Sequence, residues 1–325
     1  MGDTLADSET ETPMRSRALI ALVVAGTGLI GASRVMAQAI IDEALQDFPV
    51  RTGRLEYFNP AKLSKLPNYE ALRQRYLGVR LRDLENSLAE IGMKESDIDE
   101  LAIGWQAAKG SENSEGWEMY GLAAGHFAGV DILKQAATRG LKPVSVGNIE
   151  VYCLSLDRGG TCIALLDDEL GAFCSLQQLR AMLAAHDGTD QGLSSDIEFT
   201  NLVNEARCDA PIWGATRGSA MADWLSSSLP GQESMHLDWS KLFSGATTLS
   251  YRISLSEKAH LEVRLGCESP AAAANLRQLL EGLRALQHMA WQSRNQNVPN
   301  PLENVELDAS GDRIDLKLET EIPTA

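Results

Sequence analysis

The alternation of apolar and polar residues predicts a soluble part made of strands and helices. Residues 251–255 and 261–265 alternate strictly, which is typical of strands with one buried and one solvent-facing side. Leu84 and Leu88 recur at helical spacing before Gly92, a common helix-ending residue. The same patterns predict strands at 55–58, 98–106, 119–127, 144–156, 161–166, 212–216, 248–255, 259–267, 305–309 and 313–318, an edge strand at Phe173 and Cys174, helices at 61–76, 81–91, 131–139, 176–185, 219–229 and 271–294, and a helical run ending near Arg207.

These elements occur twice in the same order, β-α-β-β-α-β-β, so we predict an α+β fold with two tandem modules. Strands that neighbour each other in hairpins favour antiparallel or mixed sheets, here with helices on one face. The first module, with its trailing helices, is assigned to residues 47–207 and opens with a polar linker at 47–53. The second is assigned to residues 208–325. Because residue identity between the halves is weak, the repeat rests on element order alone.

The N-terminal region predicts membrane targeting. Residues 1–17 are polar and acidic and are predicted to be disordered, whereas residues 18–41 are apolar apart from one arginine. The apolar stretch is long enough to span a bilayer once, and Arg15 and Arg17 favour a cytoplasmic N-terminus. The bulk of the chain would then be periplasmic or extracytoplasmic. The alternative is a signal peptide cleaved near Ala37, which would give a secreted protein.

Gly26 to Gly31 spell GxGxxG, the pattern of a dinucleotide-binding loop. Such a loop needs a βαβ unit around it and an acidic residue about 20 positions later. Asp42 and Glu43 come too early, and the residues that follow do not alternate as βα units. Small residues at this spacing also suit a packing face of a membrane-spanning helix. A nucleotide-dependent oxidoreductase is therefore only the third hypothesis.

The charge balance argues against nucleic-acid binding. The 325 residues include 29 Lys and Arg against 45 Asp and Glu, a formal net charge of −16. A negative surface opposes the counterion release that drives binding to phosphate backbones. The same charge aids solubility and favours a basic protein partner.

The cysteine and histidine patterns predict no metal site and no cofactor. The five cysteines show no CxxC spacing, and no two histidines lie three or four residues apart. Cys153 and Cys162 are expected at diagonal positions of a hairpin, where a disulfide is allowed but two small buried residues are the favoured interpretation. His126 is interpreted as solvent-facing or hydrogen-bonded rather than as an axial ligand of a haem or chlorin in a partner subunit.

Catalytic motifs are equally absent from the sequence. GxSxG does not occur, and the serines near Gly218 and at 226–228 lack the strand-turn-helix context of an exposed nucleophile. Asp167 and Asp168 fall in a predicted turn, where they satisfy backbone groups. We predict no catalytic, cofactor-binding or metal-binding residues.

Aromatic residues around two polar loops are the candidate partner contacts. Trp105, Trp117 and Tyr120 bracket a loop of Gly, Ser, Asn and Glu at 109–116, a composition typical of surface loops that carry contact residues. Trp224 and Trp239 flank a second loop that contains Pro and Gly. The alternative is that these side chains cover the two module cores.

The order of elements resembles uncharacterised bacterial envelope proteins with tandem α+β modules behind an N-terminal signal or anchor. The resemblance rests on residues 163–168 (Ile-Ala-Leu-Leu-Asp-Asp) before a helix, residues 210–214 (Ala-Pro-Ile-Trp-Gly) and a closing pair of strands. It spans roughly residues 50–320 and implies only fold and location.

The leading hypothesis is a non-enzymatic, membrane-tethered binding or scaffold protein that faces the periplasm or outside, including the role of accessory subunit in a larger membrane protein complex. Its partners would be proteins, with the membrane contacted through residues 18–41. The competing hypothesis is an envelope hydrolase with a cleft between the modules. Convergent polar groups with shifted pKa values would favour the enzyme, and an apolar surface would favour the binding protein.

Overall fold

The computed structural model describes residues 33–67, 69–70, 86, 88–107, 117–128, 130–154, 160–221, 239–256, 258–294, 300 and 304–321. Residues 1–17, Gly26 to Gly31 and Trp224 lie outside the described residues, as does most of the predicted segment 18–41.

Twelve strands and seven α-helices have both ends within the described residues. The strands are β1 (Arg54–Phe58), β2 (Ile98–Ala107), β3 (Trp117–Gly125), β4 (Val144–Val146), β5 (Ile149–Cys153), β6 (Thr161–Leu165), β7 (Leu170–Ser175), β8 (Ile212–Arg217), β9 (Ala246–Leu255), β10 (Lys258–Cys267), β11 (Glu306–Ser310) and β12 (Arg313–Glu321). The helices are α1 (Ser33–Asp47), α2 (Pro60–Leu63), α3 (Ile132–Arg139), α4 (Leu176–His186), α5 (Ile197–Ala206), α6 (Trp239–Leu242) and α7 (Pro270–Arg294).

All twelve strands join one antiparallel sheet, in the order β11-β12-β10-β9-β8-β1-β2-β3-β7-β6-β5-β4. The prediction of an α+β fold with an antiparallel sheet is confirmed. The strands of the two predicted modules are continuous in this sheet because β1 pairs with β2 on one side and with β8 on the other. The division into two tandem modules stays a prediction. The predicted edge position of Phe173 and Cys174 is wrong, since β7 lies between β3 and β6.

Helices cover both faces of the sheet, which corrects the expectation of helices on one face. The α1 face carries α1, α4 and α5, whose apolar side chains form one core with the strands. The opposite face is called here the α7 face. On it, α2 and α3 pack against strands from the first half of the chain, and α7 packs over β9, β10 and β12. The reason is visible in β2, where every residue from 101 to 105 is buried. Side chains on both faces of this strand must therefore be covered by other elements.

The C-terminal strands differ from β2 because apolar and polar residues alternate along them. Their apolar residues, including Leu249, Leu265 and Ile314, form a core that α7 covers. The other side presents cross-strand ion pairs, namely Arg252 with Glu262, Arg264 with Asp315 and Lys258 with Glu319. These side chains are about half exposed, so the pairs contribute little to stability and keep this side solvated.

Helix α1 ends in the core of the protein. The side chains at this end that pack onto the centre of the sheet are those of Ile40, Ile41, Ala44 and, just after the helix, Phe48. The backbone N–H of Leu193 donates to the carbonyl oxygen of Phe48 at 2.7 Å, where the chain after α4 passes the end of α1. Asp47 is the last residue of this helix, whereas the sequence predicted that a polar linker starts there.

The predicted membrane segment 18–41 overlaps α1. Ile40 and Ile41 are core residues of the sheet and cannot face lipid at the same time, so a membrane span must end before them. Among the described residues, no helix is long and apolar enough to cross a bilayer. The anchor therefore stays a prediction for the part of the segment that precedes the core.

A disulfide joins Cys153 to Cys162. The two residues lie directly opposite each other on β5 and β6 rather than diagonally, with their Cα atoms 3.8 Å apart. The favoured interpretation of two unbridged cysteines was therefore wrong, because the register of the hairpin differs from the expected one. Cys174 continues the row on β7 as a buried free thiol.

Replacing Ile41 by alanine is expected to lower the free energy of unfolding by about 2–5 kcal/mol, because its side chain is fully buried under the sheet. Ile197→Ala is the matched control. It removes the same atoms from a side chain that is 72% exposed, and its expected effect is below about 0.5 kcal/mol. Urea unfolding of the full chain in mild detergent measures both. Equal effects would contradict the assignment of residue 41 to the soluble core.

Candidate functional site

A cleft of about 440 Å³ opens at one end of the central strands. Residues from both halves of the chain line it. Gly53, Ala107 and Trp117 come from the first half, and Gly218, Ala220 and Thr248 come from the second. The cleft lies where β1 begins and where β2 and β8 end, so the pairing of those three strands creates it.

The cleft combines apolar and charged groups. Phe199 and Leu202 of α5 contribute apolar surface. Arg217, at the end of β8, stands over the ring of Phe199 at 4.8 Å and donates to the carboxylate of Asp196. That hydrogen bond holds the pKa of the Asp196 carboxyl below its usual value. Aromatic and arginine side chains with apolar neighbours are the usual composition of protein-binding surfaces.

The predicted partner contacts fall into three groups. Trp117 is half-buried and lines the cleft. Trp105 and Tyr120 are 3% and 1% exposed, so in this structure they contribute to the core and offer no surface to a partner. Trp224 lies outside the described residues, and Trp239 begins α6 with a side chain that is also outside them.

The first predicted loop leaves the sheet at the cleft. It connects Ala107 to Trp117, and both of these residues line the cleft. The second predicted loop, between Trp224 and Trp239, lies outside the described residues.

A buried polar network occupies the α1 face beside β1. The hydroxyl of Tyr57 donates to Glu100 Oε1 at 2.9 Å, and the amide of Asn59 donates to both of these side chains. Glu100 is 1% exposed, and its second oxygen has no hydrogen-bond partner among the described residues. Burial raises the pKa of Glu100 to about 7 and also raises the pKa of Tyr57.

A second polar group lies on the α7 face of the same strand. Glu56 accepts a hydrogen bond from Arg54 at 2.6 Å and one from the hydroxyl of Tyr251. Tyr251 reaches it across Gly214, where any side chain would meet the tyrosine ring. The guanidinium of Arg54 lies 4.1 Å from the ring centre of Trp105, which is buried in the apolar cluster on this face. The group positions β1 and is closed to ligands.

A third group forms where α1 and α4 both end. Nδ1 of His186 lies 3.0 Å from Oδ2 of Asp47, and the carboxylate of Glu43 is close to both. Burial raises the pKa of the Asp47 carboxyl to about 6, although the adjacent His186 acts in the opposite direction. His126, by contrast, is exposed and pairs with Asp99 at 3.2 Å, as the solvent-facing interpretation expected.

Sequence reasoning did not identify these buried groups. Glu43 and Asp47 lie four residues apart, and a helical reading extended to Asp47 would have placed them on one side of α1. Their partner His186 is 139 residues away from Asp47, and no local pattern signals that contact. Tyr57 and Glu100 are also distant in the sequence, and no local pattern signals their contact.

Comparisons with known proteins leave the family open. No protein family model and no curated protein matches the chain. A solved structure titled "Structure of crystal form IV of TP0453" aligns with 85% of this chain and 92% of its own, at 11% sequence identity and a TM-score of 0.43. A similarity this distant supports no conclusion about function.

The buried Glu100 predicts a pH-dependent stability. Its pKa rises from an ordinary value of 4.5 to about 7 on folding, so between these values the folded state binds a proton that the unfolded state releases. Stability is therefore expected to fall across that window as the pH rises, by roughly 3 kcal/mol at about 1.4 kcal/mol per pH unit. The glutamine of Glu100→Gln cannot ionise, so the variant lacks this loss of stability. The difference in unfolding free energy, variant minus wild type, should therefore increase from pH 4.5 to 7.

Denaturant unfolding at several pH values measures this difference. Glu169→Gln is the control, because Glu169 is exposed and its substitution should give a constant difference. A Glu100→Gln difference that does not vary with pH would show that Glu100 is not protonated in the folded state.

Proposed function

We propose that this chain is a non-enzymatic binding or scaffold protein that acts outside the cytoplasm, tethered to the membrane by the apolar segment that begins at Ala18. The observation that carries the proposal is the cleft shared by the two halves of the chain, with Trp117 in its wall. The occupant that we assign to the cleft is a protein partner. This includes a larger membrane complex of which this chain would be an accessory subunit.

The composition of the cleft supports a polypeptide as its occupant. Trp117 and Phe199 offer aromatic surface, and Arg217 is held in place by Asp196. A rigid aromatic and arginine pair is a frequent centre of binding energy in protein interfaces. The net charge of −16 further favours a partner whose contacting surface is basic.

The disulfide supports a location outside the cytoplasm. Bridges such as Cys153–Cys162 form and persist in oxidising compartments and are rare in cytosolic proteins. An uncleaved anchor with a cytoplasmic N-terminus would deliver the described residues to such a compartment. Cleavage near Ala37 would do the same, and the buried residues of α1 would remain in the chain.

The competing hypotheses have less support. A hydrolase in the cleft needs convergent acid and base groups, whereas the carboxyls whose pKa values are strongly raised, Asp47 and Glu100, are not among the residues that line it. The oxidoreductase depends on Gly26 to Gly31, outside the described residues. A dinucleotide-binding loop opens a parallel βαβ unit, and all pairings among the described strands are antiparallel.

The redox state of the native protein tests the location. Membranes from cells that make the full chain are quenched in acid, denatured and treated with a maleimide polymer that adds mass to each free thiol. We expect three adducts per chain without reductant and five after reduction, because two of the five cysteines form a bridge. The double variant Cys153→Ser with Cys162→Ser should give three adducts in both cases. Five adducts without reductant would contradict an oxidising compartment.

Partner capture tests the cleft. The full chain is extracted from its membranes in mild detergent, and co-purifying proteins are identified by mass spectrometry. Trp117→Ala is expected to reduce the yield of a specific partner at least about 10-fold, since loss of a central aromatic commonly costs 2 kcal/mol or more in an interface. The control is Leu286→Ala, an exposed apolar side chain on α7 outside the cleft lining, which should leave the yield unchanged. Equal yields from both variants would rule out the cleft as the binding site.

A further inference from the structure

Three potential metal ligands converge between the C-terminal ends of α1 and α4. Glu43 and Asp47 lie four residues apart on α1, and His186 is the last residue of α4. One ligand atom from each side chain lies within 4.8 Å of the other two. The elements that carry them pack against each other in the core on the α1 face, so the position of the three groups is fixed by the fold.

The spacing suits a metal ion. The Nδ1 of His186 and Oδ2 of Asp47 are 3.0 Å apart. Ligand atoms in a tetrahedral zinc site, with bonds of about 2.0–2.1 Å, are separated by roughly 3.3 Å. A small outward movement of the His186 ring would make room for an ion between these two atoms, and the Glu43 carboxylate, within 4.8 Å of both, would turn toward it as the third ligand.

The burial of Asp47 is a second and independent observation. Asp47 is 1% exposed, and its Oδ1 is buried without a hydrogen-bond partner in the part of the chain that the structure describes. A buried acceptor without a partner costs free energy, and so does a second carboxylate beside it. Glu43 and Asp187 both add negative charge near Asp47. A bound cation would compensate this charge and supply a partner for the carboxylate.

The site is accessible from solvent. The side chain of His186 is 32% exposed, and Glu43 is half-buried. An ion can therefore enter without unfolding, and water would supply the ligand that the three side chains do not. The donor set of one imidazole and two carboxylates suits divalent first-row metals with mixed nitrogen and oxygen ligands.

We propose that Glu43, Asp47 and His186 bind a divalent transition-metal ion of the zinc class, which joins the end of α1 to the end of α4. The proposal is independent of the cleft and of its partner. The competing explanation is that His186 and Asp47 form only a hydrogen-bonded ion pair, with Glu43 as a nearby surface carboxylate.

Metal binding by the full chain in mild detergent separates the two explanations. After treatment with a chelator and its removal, the protein is titrated with Zn²⁺ at neutral pH by calorimetry, and thermal unfolding is followed with and without the ion. We expect one ion per chain and a rise in Tm that EDTA reverses. Co²⁺ in place of Zn²⁺ should give the visible absorption of a four-coordinate site.

Two variants and one control make the test specific. His186→Ala and Glu43→Gln are each expected to weaken binding at least about 100-fold, because each removes a direct ligand. Glu43→Gln keeps the Asp47–His186 pair intact, so it separates metal binding from the ion pair even if His186→Ala lowers stability. The control is His126→Ala, which removes the exposed His126–Asp99 pair and should leave binding unchanged. Absence of stoichiometric binding by the wild type, or equal binding by Glu43→Gln, would overturn the proposal.

Discussion

The architecture depends on the short strand β1, which is hydrogen-bonded along both edges. Its five residues pair with Trp105 to Leu101 of β2 and with Thr216 to Ile212 of β8. Every backbone donor and acceptor of a buried strand needs a partner, so β1 can exist in this form only when both neighbours are in place. The strand also carries a buried carboxylate network on each face, through Glu56 on one side and Tyr57 on the other. Loss of this strand would separate the two halves of the sheet and remove the cleft at its start.

Local sequence patterns predicted most strands and helix ends because these depend on near neighbours. Asp131 caps the start of α3, Gly140 follows its end with a left-handed backbone, and Ser175 caps the start of α4, all by short-range hydrogen bonds or backbone conformation. Sheet order depends on pairings between distant segments, which no local pattern specifies. The run 101–105 nevertheless held usable information. It lacks alternation, and a strand buried on both sides was therefore the better interpretation than a sheet with one wet face.

The candidate site was predictable only in part for the same reason. The composition of the neighbouring loop indicated Trp117, which lines the cleft, yet Trp105 and Tyr120 share that context and are buried. What separates them is side-chain direction, which depends on register: Trp105 turns toward Arg54 on the α7 face, while Tyr120 joins the core on the α1 face. A one-residue change in register exchanges the faces, and a two-residue change decides whether Cys153 and Cys162 meet directly or diagonally.

Helix α1 links the proposed anchor to the proposed binding site. It runs for 15 residues, about 22 Å, from Ser33 to Asp47, and Gly53 at the edge of the cleft follows a few residues later. Because Ile40 and Ile41 already belong to the core, the proposed anchor would be followed within α1 by residues of the folded core. The cleft would then lie a few tens of ångströms at most from the bilayer. A partner in the same membrane would then be able to reach it with a short extracytoplasmic segment.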